Sequence, residues 1–185
     1  MRARQAILCL AFVGGLGVAA GCGDADIGAG IDNLEERPDC GVVYAEPNDQ
    51  EARAVRLEST NDCDGNGSGA DGVLAGAGDA DWFYYEGYDV GYCRVNPTID
   101  LAASSGVRVC TFFACVEGSA DLTCPDGTTA AESETGLPGC CGTGAFNVGE
   151  LNCVGTGYDA ADVFVRVDRF DGDNACSDYS FEYHF

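Results

Sequence analysis

Trp82, Phe83, Tyr84 and Tyr85 follow one another without a break inside residues 72–87, GVLAGAGDADWFYYEG. Aromatic residues suit pleated, well-packed strands, and successive strand side chains point to opposite faces. Trp82 and Tyr84 therefore share one face, Phe83 and Tyr85 the other. Both faces need cover, which suits a strand within a sandwich rather than a bare edge. Val73 and Leu74 seed a preceding strand, and Gly76, Ala77 and Gly78 turn the chain. Asp79 and Asp81 sit at the entrance to the aromatic strand, where they stay solvated or hold an ion.

The rest of the chain reads as compatible all-β structure. Residues 162–170 alternate Val163, Val165 and Val167 with Phe164, Arg166 and Asp168. Residues 178–185 alternate Tyr179, Phe181, Tyr183 and Phe185 with Ser180, Glu182 and His184. A strict period of two marks a half-buried strand. Residues 106–114 alternate in the same way, placing Val107, Val109, Thr111 and Phe113 opposite Arg108, Cys110 and Phe112. Residues 52–57 and 94–101 also read as strands; Pro97 inside the latter predicts an edge or a bulge, because proline cannot donate to a ladder. Residues 61–72, rich in Gly and Asp, read as a loop. The expected fold is an all-β, jelly-roll-like antiparallel β-sandwich rich in disulfides.

Twelve cysteines and a single histidine point to an oxidising compartment rather than a zinc site. The start of the chain agrees. Arg2 and Arg4 precede an apolar run at residues 7–13, and the small residues Ala19, Ala20 and Gly21 lead to Cys22, as in an export signal. The run is too short and too glycine-rich for a good membrane span. Residues 1–21 are expected to leave with the signal. The segment resembles the lipobox of bacterial lipoproteins, with Ala19 where Leu is usual; ordinary cleavage after Ala20 is the alternative. Loss of Cys9 and lipidation of Cys22 leave an even set: Cys40, Cys63, Cys93, Cys110, Cys115, Cys124, Cys140, Cys141, Cys153 and Cys176. Five disulfides are then possible. Cys140 and Cys141 are expected to bond different partners, since an adjacent pair distorts the peptide between them. Residues 22–39 read as a flexible tether too polar to fold alone, residues 40–185 as the domain, and residues 115–144 as a disulfide-stapled, Cys-rich insertion leaving the sandwich.

Charge bounds the partners. The chain has 31 acidic residues against nine basic ones, and every basic residue is Arg. A field of this sign repels phosphate backbones, which argues against nucleic acid, and it favours divalent cations. Asp62, Asp64 and Asn66 copy the first half of a calcium loop, but Val73 stands where a bidentate Glu is needed. His184 lies on the polar face of the last strand and is expected to face solvent. No Gly-x-Ser-x-Gly turn accompanies it, so a familiar hydrolytic triad is not expected. Tyr88 and Tyr92 can meet a protein or carbohydrate ligand, although core filling is the commoner fate of such residues.

Four landmarks come in a known order: Glu46-Pro47-Asn48-Asp49, Gly78 to Phe83 (GDADWF), Phe164 to Val167 (FVRV), and Tyr179-Ser180-Phe181. Together they resemble the bacterial pre-peptidase C-terminal domain, a jelly-roll-like β-sandwich appended to secreted enzymes and surface proteins. The resemblance spans about residues 42–185. Related collagen-binding domains hold calcium between an acidic segment and the Gly-Asp turn. The resemblance thus implies Glu46, Asn48, Asp49, Asp79 and Asp81 as metal ligands, with oxygen donors that suit calcium. The expected protein is an exported bacterial lipoprotein, facing the periplasm or the cell surface and anchored to the membrane by lipid. It is expected to be a non-catalytic binding or structural module. The alternatives are a calcium-dependent adhesion domain for matrix or carbohydrate and, more distantly, a hydrolase with an unfamiliar site.

Overall fold

A computed structural model describes residues 40–41, 46–65, 67–155 and 157–185, all within one compact unit, Glu36–Phe185. The proposed signal, Cys22 and the tether lie outside the described residues.

The architecture is an all-β sandwich. One seven-stranded sheet contains β1 (Val55–Arg56), β2 (Thr60–Asn61), β4 (Ala80–Tyr88), β6 (Val107–Cys115), β8 (Thr129–Glu132), β9 (Pro138–Gly142) and β12 (Ala161–Arg169). Its order is β1-β4-β12-β6-β9-β8, with β2 also on β4. The facing sheet runs β10 (Phe146–Asn147), β5 (Thr98–Ala103), β13 (Cys176–His184), β3 (Ser68–Ala75). A separate ribbon joins β7 (Ser119–Asp121) to β11 (Asn152–Val154). Pairing is antiparallel except that β1 and β2 run parallel to β4. From β3 to β6 the chain changes sheet at every step.

The alternating strands fill the space between the layers. Phe83, Tyr85, Val163, Val165, Val167, Val109 and Phe113 from one sheet meet Leu74, Ile99, Tyr179, Phe181 and Tyr183 from the other, all buried. Phe83 meets Phe181 edge-on at 5.3 Å, and Tyr85 stacks on Tyr183 at 4.4 Å. Burying each such side chain is worth about 1.5–3 kcal/mol. The opposite face of β4 is covered too. Trp82 stacks on Phe112 at 5.6 Å beside Cys110 and Cys141, with Leu137, Ala131 and Ala54 packed against the group.

All ten described cysteines pair: Cys40–Cys176, Cys63–Cys93, Cys110–Cys141, Cys115–Cys153 and Cys124–Cys140. Neighbouring residues of β9 face opposite ways. Cys141 therefore bonds Cys110, directly across the ladder, while Cys140 turns into the inter-sheet core. Adjacent cysteines with different partners follow from strand geometry.

Four expectations change. Residues 115–144 only partly leave the sandwich: β7 lies in the separate ribbon, while β9 pairs with β6 and β8 with β9. Residues 68–72, expected in a loop, begin β3. Residues 51–53 form a 3₁₀ turn, so the strand expected over 52–57 shrinks to Val55–Arg56. Pro97 ends up just before β5 rather than within it.

Candidate metal centre

Asp81 lies on the same face of β4 as Phe83 and Tyr85, at the rim of the sandwich. Its partner there is Tyr179 of β13, whose hydroxyl donates to Asp81 Oδ2 at 2.5 Å. The turn before β4 supplies the second carboxylate. Gly76 takes a φ of +94° that a side chain disfavours, and Asp79 N–H donates to Gly76 O at 3.3 Å. The turn brings Asp79 Oδ2 back to accept from Ala75 N–H at 2.5 Å, capping the end of β3. The third carboxylate comes from the segment before the 3₁₀ turn. Trp82 N–H donates to Asn48 O at 3.0 Å, pinning that segment to the start of β4. Asn48 N–H in turn donates to Glu46 Oε2 at 3.2 Å.

One carboxylate oxygen each of Glu46, Asp79 and Asp81 lies within 4.8 Å of the others. Asp79, Asp81 and Asn48 are buried, while Glu46 is exposed and leaves the group open to solvent on one side. Each carboxylate has one oxygen fixed by a donor, which sets its orientation as outer-shell hydrogen bonds do around metals. Asn48 is 1% exposed, yet neither Oδ1 nor Nδ2 finds a hydrogen-bond partner. Its amide is still close enough to Asp81 to favour the charged carboxylate. A buried amide short of partners is costly, and this one lies beside the Asp81 carboxylate.

The electrostatics point the same way. Burial pushes the Asp81 carboxyl up to about 7, against the stabilising Tyr179 hydroxyl, and repulsion from Asp79 and Glu46 adds to the rise. Negative groups crowded in a poorly solvated place either take up a proton or hold a cation. The donors are hard oxygens, the set calcium prefers.

Of the five residues implied by the resemblance, Glu46, Asp79 and Asp81 converge, with Asn48 beside them. Asp49 is half-buried and is not among the converging carboxylates. Tyr179 belongs to the site and was not foreseen; a buried tyrosine seeking a partner for its hydroxyl was the available signal. The other acidic candidate is different. Asp62 Oδ1 accepts from Val90 N–H at 2.8 Å, and the adjacent Cys63 is bonded to Cys93, so no thiolate is on offer there. Asn66 lies outside the described residues. His184 does not simply face solvent: it is half-buried and its Nε2 meets the carbonyl of Asp64, tying β13 to that loop.

No family model matches the chain, and no curated protein matches it.

Proposed function

We propose that the protein is a calcium-binding β-sandwich module, exported and held at the bacterial envelope by lipid on Cys22. One observation carries the calcium reading: Glu46, Asp79 and Asp81 converge beside a buried Asn48 whose amide oxygen has no hydrogen-bond partner. Three carboxylates and an amide oxygen would hold the ion, with Tyr179 orienting Asp81 from behind. The ion would tie the segment at residues 46–49 to the start of β4, joining two parts of the chain that no disulfide joins directly. The pre-peptidase C-terminal resemblance supports the same site. The lipid anchor draws support from the pairing of all ten described cysteines among themselves, which leaves Cys22 none of them to bond.

Thermal melting of the oxidised protein tests the calcium reading. A ligand present at 100 times its Kd stabilises by about 2.7 kcal/mol. For a domain of this size each kcal/mol moves Tm by roughly 2–4 °C. Calcium chloride at 5 mM should raise Tm by about 5–10 °C over the chelator-treated protein, and Asp81→Asn should abolish the rise. An unchanged wild-type Tm would refute the reading.

A further inference from the structure

We propose that a cleft on the outer face of the seven-stranded sheet receives an arginine or lysine side chain from a basic polypeptide partner. The inference goes beyond the calcium reading and stands without it.

The protein displays the arrangement once on that face, complete. Arg166 lies over the rings of Trp82 (5.5 Å) and Phe112 (5.7 Å), and its Nε is 3.2 Å from Asp168 Oδ2. Two stacked rings, a cation above them and a carboxylate beside it form a self-consistent unit. Two residues back along β12 the rings and the acid recur. Phe164 stands directly opposite Tyr84, and their rings stack at 5.9 Å. Asp162 follows on the same face. It makes no ion pair among the described residues, and burial together with repulsion from Glu86 pushes its carboxyl up. Asp162 and Glu86 are direct cross-strand partners, and like charges so placed are destabilising. Arg56 lies over Tyr84 at 5.9 Å but is paired with Glu86 at 2.9 Å. Arg56 attracts Asp162 as well, but it does so without forming an ion pair with it, and burial and Glu86 outweigh that attraction.

A cleft of about 500 Å³ opens over these residues, with Ala54, Thr135 and Leu137 among its walls. That volume falls in the range of roughly 300–1,000 Å³ typical of ligand sites. The wall is built, since Glu51 accepts from the Thr135 N–H (3.0 Å) and hydroxyl (2.6 Å) and fastens the 3₁₀ turn to the loop before β9. Those bonds occupy Glu51 and Thr135, leaving Asp162 as the carboxylate, beside the Tyr84 hydroxyl, that the lining offers to a ligand. Charge complementarity selects the partner. A chain with a net charge of −22 and no lysine attracts basic polypeptides and holds them best where a carboxylate and aromatic faces converge.

Fluorescence anisotropy with fluorescein-labelled tetra-arginine at 150 mM NaCl tests the cleft. Asp162→Asn should weaken binding about tenfold, the loss of one partly desolvated charge partner. Phe164→Leu should weaken it several-fold while leaving the melting curve close to wild type. Asp100→Asn removes an exposed carboxylate on the other sheet and should change binding less than twofold. Unlabelled cellohexaose should not compete. Equal losses from Asp162→Asn and Asp100→Asn would overturn the proposal by showing only the general field of the protein. Competition by cellohexaose, or no binding at millimolar peptide, would overturn it as well.

Discussion

In chelator the protein's stability should fall as pH rises from 4 to 7, and Asp81 is the cause. Its carboxyl sits at about 7 in the folded protein against an ordinary 3.8. A raised pKa means that the folded state holds a proton which the unfolded state has already released. The penalty is therefore absent below pH 3.8, grows through the window between 3.8 and 7, and is fully present above 7. Roughly three pH units at 1.36 kcal/mol each set a ceiling of about 4 kcal/mol. Asp81 is 4% exposed, so solvent screening removes little, and about 2–4 kcal/mol is expected. Asp81→Asn keeps the shape and an acceptor for Tyr179 but cannot ionise. In chelator, the variant should exceed wild type by that amount at pH 8, and the gap should close near pH 4. Guanidinium unfolding under non-reducing conditions at a series of pH values measures it. The difference between the two proteins is the informative quantity, because Asp171, hydrogen-bonded by Arg169 and held at about 2, acts in the opposite sense at low pH. With calcium at 100 times its Kd the gap at pH 8 should shrink by about 2.7 kcal/mol, since the variant lacks the carboxylate that would meet the ion. Parallel pH profiles for wild type and variant in chelator would refute the reasoning.

Further outcomes follow from the disulfides and the packing. Replacing Cys40 and Cys176 by Ala opens a link across 136 residues, against 30 for Cys63 and Cys93. Loop-closure entropy makes the first loss about 1 kcal/mol the more costly, which paired denaturant titrations will show. Gly87→Ala would drive a Cβ into the ring of the fully buried Phe185 and should cost about 1–3 kcal/mol by overpacking, read as a lowered denaturation midpoint. Tyr179→Phe leaves Asp81 Oδ2 without its donor and should cost about 1–3 kcal/mol, with weaker calcium binding by titration.

How much of this was legible depended on where each strand keeps its information. Strands β12 and β13 carry it in their own residues: valines or aromatics on one side, polar groups on the other. The stretch from Trp82 to Tyr85 announced cover on both faces; Trp82, Phe83 and Tyr85 received it, while Tyr84 is half-buried at the cleft. Strands β3 and β9 carry theirs in their neighbours. Gly72 stands opposite Tyr179, and a Cβ there would overlap the tyrosine ring; the bulk comes from β13, so β3 reads as a loop. In β9, Gly139 presses against the Thr111 carbonyl, and the two cysteines serve as its apolar residues. Propensity cannot see a strand built from glycine and sulfur. The Asp-x-Asp turn and the segment from Glu46 were visible as motifs. Their meeting with each other depended on tertiary pairing, and that with Tyr179 on a contact 98 residues from Asp81 in sequence. The cleft was hidden for the same reason, since Glu51 and Thr135 meet only once β9 has joined the sheet.

Isothermal titration of the metal-stripped protein with calcium chloride addresses the metal centre most directly. A single saturable site, one ion per chain, lost in Asp79→Asn and in Asp81→Asn and kept in Asp62→Asn, is the predicted result. No heat of binding up to millimolar calcium, or a site that survives both substitutions, would contradict it.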